Sequence, residues 1–508
     1  MIPREDFAVE AEEFVQDLFN TFAINNLVDK SPILKLLRKP EFQRETNHWT
    51  PEQITTFIAS FLDNEVIPSL ILWKSPGFIF VIDGGHRLGA LRAWVEDDYG
   101  DGKISQAFYG GEISADQKRT AKRTRSLIRS RVGEFKEISK LVGNRKAKGD
   151  RKRRATMLFT RAIHVQWIQG NPDVAETSFF KINSQGTPLD ETEQMLIRNR
   201  RKPIAISARA ILRSGAGHKY WSAFSRNNQK EMEKRAAEFY KILFQPEVDE
   251  PLKTLDVPLG GSVSPVDALA LLIEFLGIAG TREVNGKRIE QYNDDARGAT
   301  TIQVLKNSLQ VISRITGNSA ESLGLHPAVY VYNEKGKYSR FLFLAMSLLL
   351  QDRLRSNDDG FFKKFTSARP QLEAFLMENK SLIGIILQNL SKTQRIPKMR
   401  DLLSFVISES NAGRKVRPKT VIAHLGLKGR IIDVVAKKTD PAFSDETKSV
   451  IFIRKALKTA LLCPICKGKL DPNKSVSYDH KVRVRDGGTG DADNGDLVHP
   501  YCNTGVKN

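Results

Sequence analysis

Two pairs of metal-ligating side chains share the same spacing in the last part of the sequence. Cys463 and Cys466 form a C-x-x-C pair, and His499 and Cys502 repeat that spacing further along the chain. Three cysteines with one histidine are a common ligand set for a structural, tetrahedral zinc ion. A redox-active C-x-x-C is the competing interpretation, but it is typical of a thioredoxin-like βαβ context and needs no second pair. The four residues therefore predict a structural zinc site.

The segment between the two pairs carries residues suited to phosphodiester hydrolysis. A histidine can deprotonate water because its ordinary pKa lies near 6.5, and carboxylate and amide oxygens bind hard divalent cations. Together with the zinc pairs, the elements of this segment resemble the HNH endonuclease family in their order and spacing. The resemblance implies a ββα-metal fold and cleavage of DNA. The matching elements are Asp479-His480, Gly487-Gly488, Asn494 and, directly after the last cysteine, Asn503.

The resemblance to HNH endonucleases also implies a role for individual residues. His480 is the expected general base, and Asp479 and Asn503 are the expected ligands of a catalytic Mg²⁺ or Mn²⁺ ion. Asn494 corresponds to the asparagine that holds the loop and orients the histidine. The zinc ion would then stabilise a module too small to form its own core. The predicted DNA-binding residues of the segment are Arg483, Arg485 and Lys507.

His499 departs from the family pattern, since many relatives carry a cysteine at that position. A zinc site with one imidazole in place of a thiolate remains chemically ordinary.

A second candidate site lies where a β-rich run, residues 78–82, meets the sequence Asp83-Gly84-Gly85-His86-Arg87. Residues 88–94 are predicted to continue as a helix. Glycines at such a junction let backbone N–H groups at a helix N-terminus meet an anion, and an arginine can grip phosphate oxygens through two donors. Many proteins make the same turn without a ligand, so an ordinary strand-to-helix turn is the alternative.

Two further segments, residues 40–52 and 180–193, extend this pattern. Together with residues 83–87 they resemble the ParB and sulfiredoxin-like superfamily, specifically the Asp-Gly-Gln-x-Arg branch of GmrSD-type and SspE-type restriction proteins and of DndB. The resemblance implies binding of a nucleoside triphosphate such as ATP or GTP, often with hydrolysis. Gly85 stands where that branch usually has glutamine, a departure that bears on hydrolysis more than on binding. The implied nucleotide-binding residues are Asp83, Gly84, Gly85, His86 and Arg87, with Arg44 and Asn183 from the two other segments.

Structural interpretations compete for part of the third segment. Asn183 and Gly186 are equally compatible with a simple turn. Asp190 and Glu193 are better explained as a capping box that begins the next helix.

The formal charge of the chain is +20, which favours a polyanionic partner because Lys and Arg release condensed counterions when they neutralise phosphates. Much of this charge lies between residues 118 and 154, which hold sixteen Lys or Arg and three acidic residues. The stretch is either a solvated, helix-rich insertion or a nucleic-acid contact surface. The charge is consistent with a nuclease but does not identify one.

The pattern of apolar residues predicts a multidomain α+β protein. Short β-rich runs at residues 69–73, 78–82 and 163–167 alternate with helical stretches, whereas apolar residues recur at helical spacing over 268–276 and 302–315. The apolar run at 341–350 is too short for a bilayer span and predicts a buried helix. The expected domains are a ParB/sulfiredoxin-like nucleotide-binding domain (1–200), an all-helical domain (201–410), a basic linker (411–440) and a zinc-stabilised ββα-metal HNH domain (441–508).

The combined architecture is that of bacterial anti-phage restriction systems, by resemblance. It implies a metal-dependent endonuclease that cuts phage, foreign or modified DNA, gated by the nucleotide-binding domain, as a homodimer or with partner proteins of a defence system. The acidic N-terminal residues lack the features of a secretion signal, so a cytoplasmic protein without a membrane partner is expected. The alternatives are a DndB-like DNA-binding regulator without cleavage and a homing or mobile-element HNH nuclease.

Overall fold

The polypeptide separates after Arg200 into two units. Residues 1–200 with 216–220 form unit 1, and residues 201–215 with 221–508 form unit 2. The structure, a computed structural model, describes residues 2–5, 19–28, 31–40, 49–109, 113, 115–144, 146, 148–185, 190–429 and 443–507.

Unit 1 contains a mixed six-stranded sheet. The three β-rich runs of the sequence each form a strand, as predicted, because β-branched and aromatic side chains favour strands. The runs at 69–73 and 78–82 are covered on both faces, whereas the run at 163–167 exposes His164 and Gln166. The strands are β1 (Arg4–Glu5), β2 (Thr21–Ala23), β3 (Leu37–Pro40), β4 (Leu70–Lys74), β5 (Ile79–Asp83) and β6 (Ala162–Ile168), in the spatial order β1-β3-β5-β4-β6-β2. The pairs β1/β3, β3/β5 and β4/β6 are parallel, and β4/β5 and β2/β6 are antiparallel.

Two apolar clusters cover the two faces of this sheet. Along β5, Ile79 and Val81 join one cluster and Phe80 and Ile82 join the other, as expected from the alternation of side chains in a strand. Helix α2 begins with a capping box, in which Thr50 accepts from the Gln53 N–H. The helices of unit 1 are α1 (Pro32–Leu36), α2 (Pro51–Leu62), α3 (Gly85–Glu96), α4 (Lys103–Tyr109), α5 (Ala115–Arg131), α6 (Phe135–Ser139), α7 (Gly149–Thr160), α8 (Pro172–Gln185) and α9 (Glu191–Arg198).

Unit 2 is mostly helical. The predicted helices over 268–276, 302–315 and 341–350 are present, and each packs its apolar residues inward. Among the described residues, no helix combines the length and apolar character needed to cross a membrane. The helices are α10 (Pro203–Leu212), α11 (Arg226–Phe244), α12 (Pro265–Ala279), α13 (Ala299–Ile315), α14 (Pro327–Tyr330), α15 (Arg340–Arg355), α16 (Asp359–Glu378), α17 (Lys380–Gln388), α18 (Lys392–Asn411), α19 (Pro418–His424) and α20 (Asp445–Thr459).

A small module follows α20 within unit 2. Its strands β7 (Ser477–His480) and β8 (Gly495–Val498) form an antiparallel hairpin, and a helical turn, Cys502–Val506, follows β8. The segment predicted as a basic linker contains α19, and its residues 430–442 lie outside the described residues. The mostly helical α+β class agrees with the sequence-based prediction.

Candidate functional site

The four predicted zinc ligands lie together. The thiols of Cys463, Cys466 and Cys502 and the imidazole of His499 are all buried, and their ligand atoms lie within 4.8 Å of one another. A tetrahedral zinc ion would bring such atoms to about 3.4–3.8 Å from each other, so a small contraction of the cluster would complete the site. All three cysteines are free, as a metal site requires.

The orientation of His499 suits a zinc ligand. Its Nε2 lies 3.1 Å from the Lys469 carbonyl oxygen, and its Nδ1 lies 3.2 Å from the Cys466 sulfur. When Nε2–H donates to that carbonyl, the Nδ1 lone pair faces the thiols. Burial lowers the pKa of His499, which favours the neutral ligand form. Hydrogen bonds from Cys466 and Cys502 hold the pKa of Cys463 below the usual range of a thiol, and the same contacts raise the pKa values of Cys466 and Cys502.

A buried ion pair in α16 supports the zinc cluster from the helical part of unit 2. The Arg369 guanidinium donates to Glu373 Oε1 at 2.7 Å and to the Gly324 carbonyl at 2.9 Å, and Arg369 is 1% exposed. The second Glu373 oxygen accepts from the Lys469 N–H at 2.8 Å. Lys469 is thus bonded to the helical part through its N–H and to the predicted zinc ligand His499 through its carbonyl.

The hairpin fixes the positions of the proposed catalytic residues. Asp479 lies directly opposite Asp496, and His480 lies opposite Gly495. Residues directly opposite in an antiparallel pair share a face of the hairpin. Asp496 therefore belongs to the same face as Asp479.

Asn503 and Lys507 lie against this face. Asn503 Nδ2 donates to Ser477 Oγ at 2.9 Å. The Lys507 ammonium lies 2.6 Å from Asp479 Oδ2 and also donates to the His480 carbonyl. The Asp479 carboxylate and a neighbouring carbonyl therefore both contact a positively charged group in this structure. Oxygen atoms of these two kinds are also the ligands that a hard divalent metal ion prefers.

Asn494 bonds to the loop that follows His480. Its Oδ1 accepts from the Val482 N–H at 2.7 Å, and its Nδ2 donates to the Thr489 carbonyl at 2.7 Å. Gly488 packs so closely that an added Cβ would lie 1.9 Å from the Val482 oxygen. These contacts hold together the loop that follows His480.

Two of the three predicted DNA-binding residues make internal contacts. Arg483 donates to the Lys507 carbonyl, and Lys507 itself is paired with Asp479. Arg485 is exposed in a 3₁₀ turn, Val484–Asp486, beside the exposed apolar side chains of Val482 and Val484.

The glycine turn of unit 1 has the geometry of a helix start. Gly84 is left-handed, with φ of 96°, and an added Cβ would lie 2.4 Å from Leu70 Cδ2. Arg87 donates to Asp83 at 2.5 Å and to the Ser69 carbonyl at 3.0 Å, so its guanidinium is bound within the protein. The His86 ring stacks on Trp49 at 5.7 Å.

The structure describes the residues of the two other predicted nucleotide-binding segments only in part. Arg44 and Gly186 lie outside the described residues, and of Asn183 only the backbone, within α8, is described. Asp190 caps α9 by accepting from the Thr192 N–H at 2.8 Å, as expected for a helix start.

Two parts of the chain match known protein families. Residues 18–201 match the model of the GmrSD restriction endonuclease N-terminal domain, and residues 463–508 match that of the HNH endonuclease. The pair matches a GmrSD-type HNH restriction protein. The GmrSD-type and HNH resemblances inferred from the sequence motifs are thereby confirmed, whereas the ParB/sulfiredoxin-like fold of the first segment stays a prediction. No curated protein and no solved structure gave a match to the chain.

The HNH segment, residues 463–508, contains the whole zinc cluster, the hairpin and the turn that carries Asn503. The HNH match supports a DNA nuclease, and the GmrSD match supports a role in restriction. Both matches support DNA as the substrate.

Sequence reasoning missed the contribution of Arg369, Glu373 and Asp496. Arg369 and Glu373 lie four residues apart on a helix, among apolar residues. Two opposite charges on an apolar helix face could have predicted a buried ion pair. The position of Asp496 opposite Asp479 could have been predicted by pairing the residues before His480 with the residues after Asn494 as an antiparallel hairpin.

The basic stretch of the GmrSD-type segment is partly neutralised within unit 1. Arg125 pairs with Asp97 and Asp101, and Arg154 pairs with Asp63. Other basic residues of this stretch are exposed on α5, α6, α7 and the segments between them, including Lys118, Lys122, Lys136, Lys140, Lys146, Lys148, Arg151 and Lys152.

Proposed function

We propose that this protein is a divalent-metal-dependent DNA endonuclease whose cutting is licensed by its GmrSD-type segment in defence against phage or other foreign DNA. The observation that carries the proposal is the placement of Asp479, His480 and Asn503 on a hairpin and turn joined by a zinc-binding cluster. A module that only gripped DNA would need the zinc cluster but not this set of side chains.

In the proposed reaction His480 takes a proton from the attacking water, because an imidazole changes charge near neutral pH. Asp479 and Asn503 would hold Mg²⁺ or Mn²⁺, which supplies charge neutralisation at the scissile phosphate. Asn494 keeps the loop after His480 in place through its bonds to Val482 and Thr489. Arg483, Arg485 and Lys507 would contact the DNA backbone, and the zinc cluster has a structural role only.

Substitution of the proposed base tests the nuclease assignment. We expect His480→Ala to abolish cleavage of plasmid DNA in the presence of Mg²⁺ or Mn²⁺ while the zinc content is unchanged, because His480 is outside the zinc cluster. Gel assays of cleavage and metal analysis of the purified full-length protein measure the two effects. His164→Ala, at an exposed position of β6, is the matched control. Wild-type cutting by His480→Ala would refute the assignment.

The gating proposal rests on the ParB/sulfiredoxin-like resemblance of the turn at residues 83–87. We propose that Asp83, Gly84, Gly85, His86 and Arg87, with Arg44 and Asn183, bind a nucleoside triphosphate. Calorimetry with ATP and GTP, together with cleavage rates with and without each nucleotide, tests this step. If neither nucleotide binds or changes the rate, the gating half of the proposal is wrong.

Two other functions predict different patterns of cutting. A DndB-like regulator would bind DNA and cut none, whereas a mobile-element nuclease would cut one defined site. Incubation with plain plasmid, modified plasmid and phage DNA distinguishes these outcomes from restriction, in which many sites or only modified DNA are cut.

A further inference from the structure

The ammonium group of Lys507 bonds to the carboxylate of Asp479, which is a proposed ligand of the catalytic cation. Lys507 Nζ lies 2.6 Å from Asp479 Oδ2, and it also donates to the His480 carbonyl oxygen. The two side chains are 21% and 13% exposed. A charge-assisted hydrogen bond at this degree of burial is less screened than a surface ion pair.

The backbone around Lys507 holds its side chain in this place. The Lys507 N–H donates to the Cys502 carbonyl at 3.1 Å, which continues the helical turn from a zinc-cluster residue. The Lys507 carbonyl accepts from the Arg483 guanidinium. Because the backbone is bonded on both sides, the pairing with Asp479 is part of the folded module.

The charge on the hairpin explains why a cation is favoured there. Asp479 and Asp496 lie directly opposite one another on one face, and like charges in this arrangement repel. The Lys507 ammonium offsets that repulsion. A divalent cation at the same carboxylate would meet the ammonium at short range, and the two positive charges would repel in turn.

The geometry points to Lys507 as a built-in competitor of the catalytic cation: its ammonium bonds to Asp479 Oδ2 and must leave when a divalent cation binds there. This inference rests on the proposed function, in which Asp479 is a cation ligand. Lys507 is then a positioning residue that sets the affinity for the cation. Its release from Asp479 also makes the ammonium available to a DNA phosphate.

Binding of Mn²⁺ to the zinc-loaded, full-length protein without DNA tests the competition. Titration followed by the electron paramagnetic resonance of free Mn²⁺ gives the affinity. We expect Lys507→Met to bind Mn²⁺ roughly tenfold more tightly than wild type, because the carboxylate no longer shares its charge with an ammonium. Lys481→Met is the matched control, since Lys481 carries the same charge in the same module but bonds to the Asp493 carbonyl instead. Zinc content and the thermal unfolding curve establish that each variant is folded.

Each outcome of the titration has one meaning. Tighter binding by Lys507→Met and wild-type binding by Lys481→Met support the inference. Unchanged or weaker binding by Lys507→Met, or equal tightening in both variants, overturns it. Asp479→Asn is expected to lose the Mn²⁺ site. If Asp479→Asn binds Mn²⁺ as wild type does, the assignment of Asp479 in the proposed function fails as well, which distinguishes the two failures.

Discussion

Burial keeps the imidazole of His326 neutral at the start of helix α14. Its Nδ1 accepts from the Ala328 N–H at 3.2 Å, which caps the helix, and the residue is 2% exposed. Burial, followed by the charges of Lys474, Arg369 and Lys380, lowers the pKa of His326 to about 3. A neutral imidazole is required for the cap, since the protonated form has no acceptor at that nitrogen.

This cap predicts a loss of stability in acid. The unfolded chain binds a proton at His326 below its ordinary pKa near 6.5, whereas the folded chain does so only near 3. The contribution is therefore complete above pH 6.5 and is lost as the pH falls from 6.5 toward 3, by up to about 1.4 kcal/mol per pH unit. Urea unfolding at pH 7.5 and pH 5.0 measures it. His326→Asn, which keeps a capping acceptor, is expected to lose a smaller amount over the same range. An equal loss in both proteins would contradict the role of His326.

For single residues, the sequence predicted which residues belong to a site better than it predicted which residues they contact. The spacing of the Cys463 and His499 pairs was enough to predict a four-ligand cluster, because a tetrahedral ion imposes that pattern. The pairing of Lys507 with Asp479 could not be predicted, since it depends on the path of the chain between them. The same holds for Arg87, which the motif assigned to a phosphate and which in the structure binds Asp83 and Ser69.

Among the elements, helix α16 has the most direct effect on the HNH segment. Arg369 and Glu373 lie on its buried face and bond to Lys469. Arg369 also packs so closely on Gly468 that a Cβ added at Gly468 would lie 2.2 Å from Arg369 Nε. A buried charge whose partner is removed is strongly destabilising, because its desolvation is no longer offset.

We therefore expect Arg369→Met to lower the free energy of unfolding of unit 2 by about 3–5 kcal/mol and to speed the loss of zinc to a chelator. Arg353→Met is the matched control. Arg353 pairs with Asp358, and both side chains are more than a third exposed, at 35% and 39%. Such a pair contributes about 0–1 kcal/mol. Urea unfolding and a colorimetric zinc-release assay measure the two effects. Equal effects of the two substitutions would show that the ion pair in α16 does not support the zinc cluster.

The sequence predicted the regular elements themselves well. The runs at 69–73 and 78–82 became strands because their side chains alternate between two apolar clusters, and the run at 163–167 because it alternates between one apolar cluster and exposed polar residues. Helical spacing located α12, α13 and α15. The order of the strands was not predictable from these runs, since β4 pairs with β5 on one side and with the distant β6 on the other. That order depends on how the intervening helices pack.

For the whole molecule, the positive charge predicts a salt-dependent affinity for DNA. The exposed lysines of the basic stretch lie on α5, α6 and beside them in unit 1. If this stretch contacts phosphates, replacing Lys118, Lys122, Lys136 and Lys140 with glutamine should reduce the slope of log affinity against log salt by up to about 3.6.

Electrophoretic mobility shifts of duplex DNA over a range of salt concentrations measure this slope. The matched control replaces four exposed lysines of unit 2, Lys230, Lys234, Lys363 and Lys364, and removes the same total charge. The same slope in both quadruple variants would favour the alternative, in which the basic stretch is a solvated insertion.

The hydrogen bonds of Lys469 limit how the nuclease can choose its cutting position. Its N–H bonds to Glu373 of the helical part, and its carbonyl bonds to the zinc ligand His499. A catalytic module on a flexible tether could sample many phosphates along a DNA molecule, but here any swing of the module would break the bonds that support its own metal cluster. We therefore expect the HNH segment to move together with the helices of unit 2, so that the spacing between a DNA contact made by those helices and the cut is constant from site to site.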